Sequence, residues 1–260
     1  MKKLAFSFNC ISFSHGNGKE ALKNISISAF VGESIAIIGS SGSGKTSFLN
    51  LIATALRPST GSITVFNLDP WALSKRQLQR LRSQIGLVHQ AAPIPPRQRV
   101  ITAILAGRLG QWPLWKSLLS LIYPVDIAGP HQCLQKLDLD DRLFDRCDRL
   151  SGGQLQRVGV ARVLYQRPHL LLADEPVSAM DPVLSDVTIQ CLLEDAQTRD
   201  ACFVASLHAV DIALRWFPRI IGLKDGEVFF DLPASEVSES LLQQLYAAER
   251  GVLPKQDSTN

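Results

Sequence analysis

Apolar residues recur at two different spacings along this chain, and these spacings predict strands and helices in alternation. Large apolar side chains occupy every second position of residues 4–10, which is the period of a strand with one buried face. Residues 33–39 (ESIAIIG) form a short apolar run, as expected of a strand that is buried on both faces. Residues 45–56 follow with the apolar spacing of a helix.

The middle of the chain differs from both flanks. Residues 91–167 contain helical patterns, loops and a proline-rich joint, AAPIPPR, but no strand pattern. The alternation of strands and helices on either side indicates an α/β fold that is interrupted by a helical insert. The other predicted strands are residues 61–67, 85–90, 169–175, 201–208, 219–226 and 227–231, and a polar helix is predicted over residues 74–84.

Composition and charge narrow the class of protein. Of the 260 residues, 46% are hydrophobic and 20% are charged, which is typical of a globular protein. The net charge of +3 gives no support for nucleic-acid binding, because such proteins concentrate Lys and Arg on one face. The five cysteines are scattered and form neither a CxxC pair nor a metal-binding spacing, so we expect reduced thiols.

Neither a targeting segment nor a membrane span is predicted. Two lysines and several apolar residues open the chain as in a signal peptide, but their alternation favours a strand. The nearest approach to a span is residues 112–125, which is shorter than the ~20 residues needed and contains Lys116. Residues after 255 are expected to be disordered.

The strongest chemical signal is GSSGSGKT at residues 39–46, between a predicted buried strand and a predicted helix. The glycines allow the backbone to wrap a phosphate group, and successive N–H groups form an anion-binding nest. We expect Lys45 to reach the β- and γ-phosphates and the Thr46 hydroxyl to coordinate Mg²⁺. The predicted nucleotide-contacting residues are Gly39, Ser40, Ser41, Gly42, Ser43, Gly44, Lys45, Thr46 and Ser47.

A second signal is LLLADE at residues 170–175, where a buried strand ends in two adjacent carboxylates. Neighbouring side chains of a strand point in opposite directions, so the two acids can have different roles. Asp174 is expected to hold Mg²⁺, and Glu175 is expected to act as the general base on an attacking water. Together with the phosphate loop, this pair predicts hydrolysis of a nucleoside triphosphate.

A further anion-binding turn, LSGGQ at residues 150–154, precedes a helical pattern. With the phosphate loop and LLLADE, this turn resembles the ATP-binding subunits of ABC transporters. Three other elements match that family in the same order. They are Gln90 as the Q-loop glutamine, residues 178–181 (SAMD) as the D-loop, and His208 as the switch histidine.

The resemblance implies a P-loop NTPase (RecA-like) core with a mostly parallel sheet, an antiparallel β subdomain and an inserted α-helical subdomain. One ABC domain would occupy residues 1–260. The core and the antiparallel subdomain would lie in residues 1–90 and 168–235, the helical subdomain in 91–167, and a C-terminal helix and tail in 236–260. ATP and Mg²⁺ are the implied cofactors.

In this family two copies pair head to tail, and each ATP lies between the phosphate loop of one copy and the LSGGQ turn of the other. The resemblance therefore implies that the second anion-binding turn serves the partner's nucleotide. It also implies that Gln90 and His208 act with Glu175 in catalysis, and that Gln90 contacts Mg²⁺. The residues implied to contact nucleotide beyond the phosphate loop are Ser151, Gly152, Gly153, Gln154 and Asp181.

Members of the family usually stack adenine on a Tyr or Phe upstream of the phosphate loop. Here the matching run is ISFSH, which places His15 at the aromatic position. An imidazole can stack on a base, although it offers less area than a tyrosine. The alternatives are that Phe13 replaces it or that base stacking is weak.

Two segments narrow the resemblance to phosphonate-importer ATPases: residues 107–124 (GRLGQWPLWKSLLSLIYP) and residues 207–231. The implied partners are a second copy, integral membrane permease subunits and, through the permease, a periplasmic or extracellular solute-binding protein. The implied location is peripheral, on the cytoplasmic face of the inner membrane. The alternatives are an importer for another solute and a soluble ABC ATPase that has no role in transport.

The apolar residues of the insert either form the core of the helical subdomain or contact the permease. These residues are Trp112, Leu114, Trp115, Leu118 and Leu119.

Overall fold

The computed structural model describes residues 3–16 and 18–247. Two β-sheets and a set of helices make up this part of the chain. The strands are β1 (Leu4–Ser14), β2 (Glu20–Phe30), β3 (Ser34–Ile38), β4 (Thr60–Val65), β5 (Ile85–Val88), β6 (Leu170–Asp174), β7 (Cys202–Ser206), β8 (Arg219–Lys224) and β9 (Glu227–Pro233).

The larger sheet is mostly parallel. Within the described residues it has six strands in the order β5-β6-β7-β3-β8-β9, and only β9 runs antiparallel to its neighbour. The smaller sheet is antiparallel and has the order β2-β1-β4. This is an α/β fold with a mostly parallel sheet, and the expected fold class is confirmed.

The central strands of the large sheet are buried on both faces. Every residue of β3, β6 and β7 is buried, as the continuous apolar runs predict. Alternate residues enter different cores: Ile35 and Ile37 pack with the small sheet, whereas Ala36 and Ile38 pack with the helices on the other face. The strand period of two therefore builds two hydrophobic cores on one sheet.

Residues 91–167, all of which the structure describes, form helices and loops and contain no strand beyond one isolated bridge between Arg99 and Arg146. They are inserted between β5 and β6. The α-helices of the chain are α1 (Lys45–Ile52), α2 (Lys75–Ser83), α3 (Val100–Leu105), α4 (Leu114–Ile122), α5 (Ala128–Gln135), α6 (Gly152–Gln166), α7 (Pro182–Thr198), α8 (Val210–Trp216) and α9 (Glu239–Leu245).

Two local predictions differ from the structure. The first helix ends at Ile52 instead of continuing to residue 56, because Thr54 turns into the left-handed region (φ 57°) and its carbonyl oxygen accepts a hydrogen bond from Arg82. In β1 the alternation breaks at Cys10, which has φ 49° beside a register shift and is exposed, and the next residue, Ile11, is buried instead.

One strand and one orientation were not anticipated. Strand β2, which forms an edge of the small sheet, is not among the predicted strands. The interpretation of the insert's apolar residues as core is wrong for four of the five. Trp112 packs against the core, whereas the exposed ones are Leu114, Trp115, Leu118 and Leu119.

Other expectations concern the thiols, the membrane and the tail. All five cysteines are free, and burial raises the pKa of the Cys202 thiol to about 12. Among the described residues, no helix has the length and apolar character to cross a bilayer. The tail after residue 255 lies outside the described residues, as does the rest of segment 236–260 beyond residue 247.

The core on the helical face supplies a test of the fold. Phe217 is 1% exposed, and its ring centroid lies 5.3 Å from that of Phe203 in β7. We expect Phe217→Ala to lower the free energy of unfolding by about 3–5 kcal/mol, because the substitution leaves a cavity in a closely packed interior. Urea denaturation measures this. The matched control is Phe144→Ala at a ring that is 53% exposed, and an equal loss there would contradict the assignment of this core.

Candidate nucleotide-binding site

The predicted site residues converge because the strands that carry them are parallel. The strands β5, β6, β7 and β3 are neighbours in that order, so their carboxyl ends lie along one edge of the sheet. Ligands bind at this edge in open α/β sheets. The loops that follow these four strands contain Gln90, Glu175, His208 and the phosphate loop.

The phosphate loop requires glycine at two close backbone contacts. A Cβ atom on Gly39 (φ 151°) would lie 2.1 Å from the carbonyl oxygen of Leu223. One on Gly44 (φ 106°) would lie 2.6 Å from the carbonyl oxygen of Ala21. Helix α1 begins directly after Gly44 without a side-chain cap, so its first N–H groups have no capping acceptor. That is the geometry of a phosphate site at a helix N-terminus.

Two side chains of the loop show what such a ligand would meet. The Lys45 ammonium is buried and donates to the carbonyl oxygens of Gly39 at 2.7 Å and Ser40 at 3.0 Å. Ser43 is 2% exposed, and within the described residues its hydroxyl has no hydrogen-bond partner. Since buried hydroxyls almost always have a partner, this orphan fits a loop that completes its contacts with a bound phosphate.

The acidic pair at the end of β6 points in two directions, as predicted. Asp174 is buried, and its Oδ1 accepts hydrogen bonds from Ser206 Oγ at 2.6 Å and Thr46 Oγ1 at 3.2 Å. Glu175 turns the chain into the left-handed region (φ 49°), where its N–H donates to the carbonyl and hydroxyl oxygens of Ser206. This turn takes the Glu175 carboxylate away from the side of Asp174.

The carboxylate of Glu175 is held from both sides. Gln90 Nε2 donates to Oε2 at 2.7 Å, and His208 Nε2 lies 2.5 Å from Oε1. The structure therefore places all three predicted catalytic side chains in contact. Glu175 is mostly buried, at 11% side-chain exposure, whereas His208 is 48% exposed at the edge of the site.

The oxygen ligands around Thr46 suit Mg²⁺, which binds few protein ligands, better than a metal ion that is coordinated by protein side chains alone. Among the described residues no cluster of three or more His, Cys, Asp or Glu side chains is arranged to hold an ion. Mg²⁺ usually takes one or two carboxylates and completes its shell with phosphate oxygens and water. The Thr46 hydroxyl and the Asp174 carboxylate form such a partial set, and the Gln90 amide lies across the site on Glu175.

The LSGGQ turn opens helix α6. Ser151 is the N-cap, and it forms a capping box with Gln154: its hydroxyl accepts from the Gln154 N–H, and Gln154 Oε1 accepts from the Ser151 N–H at 2.9 Å. Gly152 faces open space, whereas a Cβ atom on Gly153 would lie 2.7 Å from the carbonyl oxygen of Ala179 in the D-loop. The turn is thus both exposed and fixed in place.

The D-loop ends on a cap of its own. Asp181 is the N-cap of α7, and its Oδ1 accepts from the Leu184 N–H at 3.0 Å. The loop's first residue, Ser178, donates its N–H to the carbonyl oxygen of Glu175 at 3.3 Å. The first residue of the D-loop is therefore hydrogen-bonded to the residue that carries the predicted base.

Sequence reasoning missed a residue that joins these loops. Gln156 lies on α6 and is only 2% exposed. Its amide donates to the carbonyl oxygen of Glu175 at 2.8 Å and accepts from the N–H of Ala179 at 3.2 Å. A polar residue in the buried stripe of a predicted helix was the available signal. Ser206, which bonds both acids of the pair, was also missed because it closes an ordinary apolar strand.

His15 lies near the phosphate loop. Its Nε2 is 3.4 Å from Ser47 Oγ in α1, and its ring packs edge-on against Phe13 at 5.0 Å between centroids. Phe13 is itself buried at 8% exposure, so it could replace His15 only by leaving the core. Stacking of His15 on adenine stays a prediction.

A phosphate loop between a buried parallel strand and a helix, with an acidic pair closing a nearby strand, defines a P-loop nucleoside triphosphatase. The model of the ABC transporter family matches residues 22–178, and the chain belongs to that family. The chain is 63% identical over 255 residues to "Phosphonates import ATP-binding protein PhnC 1" of Cupriavidus necator, covering 98% of this chain and 91% of that protein. It is 58% identical over 247 residues to the protein of that name from Pseudomonas aeruginosa, covering 95% and 92%.

A solved structure agrees with the fold. The ATP-binding cassette MJ0796, determined as a dimer in a post-hydrolysis state with ADP and Pi, superposes with a TM-score of 0.74 at 28% identity. The match covers 88% of this chain and 98% of that one. The P-loop NTPase core that the resemblance implied is therefore confirmed.

The position of Gln156 gives a prediction about catalysis. We expect Gln156→Leu to lower kcat for ATP about 10²-fold without changing the Kd for ATP, because the backbone of Glu175 loses its buried hydrogen-bond donor. Stopped-flow nucleotide binding and steady-state hydrolysis measure the two constants.

The matched control is Gln166→Leu on the same helix. Gln166 also donates from a half-buried amide to a main-chain carbonyl, that of Ile85 at 2.8 Å, but away from the site. We expect it to cost similar stability, about 1–3 kcal/mol, and to leave kcat unchanged. Equal loss of kcat in both variants would show that Gln156 only stabilises the fold.

Proposed function

We propose that this chain is the ATP-hydrolysing subunit of an ABC importer for phosphonates or related phosphorus oxyanions. One observation carries the substrate class: the two import proteins at 63% and 58% identity match it along nearly its whole length. The transported solute does not contact this subunit, because specificity resides in the permease and the solute-binding protein. The contacts around Glu175 support hydrolysis directly.

The proposed role of Glu175 is to accept a proton from the attacking water. A carboxylate can do this only if it is held in one orientation at the site of attack. Gln90 and His208 hold its two oxygens, and the left-handed backbone turn aims it across the sheet edge. Bound Mg²⁺, held by Thr46 and Asp174, would neutralise charge on the phosphate oxygens, and Lys45 would neutralise more from the loop.

The second anion-binding turn belongs, in this proposal, to the nucleotide of a partner copy. Gly152 faces open space at the start of α6, so its N–H groups are accessible to a ligand from outside this chain. ATP held by one phosphate loop and by the partner's turn would favour the closed pair by differential contact. Loss of the γ-phosphate would remove those contacts and let the pair open.

The partners would be a second copy in head-to-tail arrangement, integral membrane permease subunits and a solute-binding protein reached through the permease. The protein would be peripheral on the cytoplasmic face of the inner membrane. In this proposal the permease would dock at a groove of about 420 Å³ between α2, residues 106–110 and α6. Lys75, Arg82 and Arg162 line it without an acidic neighbour, which suits an acidic or carbonyl-rich segment.

The paired arrangement can be tested with the hydrolysis blocked. Glu175→Gln removes the base but keeps the hydrogen-bonding shape, so we expect ATP to bind, hydrolysis to slow by about 10²–10⁴-fold, and a stable dimer to form. Size-exclusion chromatography with ATP measures the dimer. Adding Ser151→Arg should abolish the dimer and leave ATP binding intact. A double variant that still dimerises with ATP would contradict the role of LSGGQ in the partner's site.

The substrate class can be tested by uptake. Cells that carry this chain with a phosphonate permease and binding protein should accumulate labelled methylphosphonate, and Glu175→Gln should abolish accumulation. Glu227→Gln, at an exposed carboxylate on β9, is the control and should transport normally. Phosphite and phosphate serve as competitors, and uptake of either in place of methylphosphonate would keep the class of phosphorus oxyanions but contradict phosphonate as the solute. No ATP-dependent uptake of the three would contradict the whole class.

A further inference from the structure

Helix α4 is oriented opposite to an ordinary surface helix. Its apolar side chains face outward, with Leu114 75%, Trp115 68% and Ile122 89% exposed. Its serines face inward, and Ser120 is only 2% exposed. Surface helices of globular proteins normally place the apolar stripe on the core. The exposed large apolar residues of this helix are Leu114, Trp115, Leu118, Leu119, Leu121 and Ile122.

These exposed residues form one continuous face. At 100° per residue they span roughly 160° of the helix circumference, and the remaining arc contains Lys116 and the two serines. The inward serines are satisfied: Ser117 Oγ donates to the carbonyl oxygen of Leu109 at 3.2 Å, and Ser120 Oγ donates to that of Ser117 at 2.8 Å. The bond of Ser120 lies within the helix, whereas that of Ser117 joins the polar side to the segment before the helix and favours the observed orientation.

The segment of sequence that contains this helix is cationic. The sequence from residue 70 to residue 125 contains no Asp or Glu at all. The α2 end of this acid-free segment lies next to the start of α4, because Gln111 Nε2 donates to the carbonyl oxygen of Ser83 at 3.2 Å. The segment's cations are Lys75, Arg76, Arg80, Arg82, Arg97, Arg99, Arg108 and Lys116.

Aromatic residues border the face. Trp115 lies on it and Tyr123, 65% exposed, follows its last turn. The Lys116 ammonium lies 4.8 Å from the ring centroid of Trp112, just before the helix. Tryptophan, tyrosine and lysine around an aliphatic surface are typical of helices that lie in the boundary between lipid headgroups and acyl chains.

We propose that α4 inserts its apolar face into the headgroup–acyl boundary of an anionic bilayer, with the acid-free segment contacting the lipid phosphates. A helix of nine residues is about 14 Å long, so it can lie in the membrane surface but cannot cross it. Apart from the Trp115 indole N–H, the face offers no hydrogen-bonding group. A protein interface would carry about one hydrogen bond per 100–200 Å², so lipid is the better match.

Vesicle flotation of the full-length protein tests this without the permease. We expect the wild type to float with vesicles of phosphatidylcholine and phosphatidylglycerol at 3:1, and about ten-fold less with phosphatidylcholine alone. The double variant Trp115→Ser with Ile122→Ser should reduce partitioning into the anionic vesicles at least ten-fold. The matched control is Leu68→Ser with Phe144→Ser, at exposed apolar residues of other segments, and it should float like the wild type.

Two further measurements distinguish a loss of membrane contact from a loss of folding in the double variant. ATP hydrolysis by the double variant in solution should equal that of the wild type, which shows that the variant is folded. Brominated acyl chains should quench the fluorescence of the wild type more strongly than that of Trp115→Phe, a readout that does not depend on the double variant.

The proposal is overturned by any of three results. These are no flotation of the wild type, equal flotation of the double variant, and flotation only with vesicles that contain the permease. The last result would assign the face to a protein contact instead. Equal binding to neutral and anionic vesicles would overturn the contact between the acid-free segment and lipid phosphates. None of these results bears on whether the chain hydrolyses ATP or drives phosphonate uptake.

Discussion

The carboxylate of Glu175 is the point on which the rest of the site depends. One of its oxygens meets Gln90, from the loop after β5, and the other meets His208, from the loop after β7. These contacts are possible only because β5, β6 and β7 are parallel neighbours that end at one edge. The buried apolar strands, which have no chemistry themselves, therefore set the geometry of the proposed base.

The same acid is connected to the helical insert through its main chain. Gln156, on the helix that begins with LSGGQ, donates to the Glu175 carbonyl and accepts from the D-loop at Ala179. A buried network with every group paired resists distortion, because leaving one group unpaired costs about 1–3 kcal/mol. A shift of α6 would therefore move the D-loop and the base together, and this gives a physical route between the second anion-binding turn and the hydrolytic centre.

Much of the fold and site follows from local sequence patterns, and the failures have identifiable causes. The runs at β3, β6 and β7 are apolar throughout, so their burial could be predicted, and the phosphate loop is marked by its own spacing. In strand β2, Leu22 is out of phase with the alternation of Ile25 and Ile27, because Asn24 between them has φ 46°, and this leaves only a short regular stretch. The contact of Gln90 with Glu175 joins residues 85 positions apart, and spacing alone could not show which oxygen each neighbour binds.

Helix α4 shows a different limit of pattern reading. An apolar stripe at helical spacing identifies a face but not the direction in which it points. Here the inner arc contains serines with hydrogen-bond partners, one of them Leu109 outside the helix, and the sequence that flanks the helix contains cations but no acids. An exposed apolar face departs from the usual burial of apolar side chains. Such departures occur where a protein contacts a membrane, a ligand or another protein. The sheet edge is built to hold a small anion, whereas this face is built to meet an extended apolar surface.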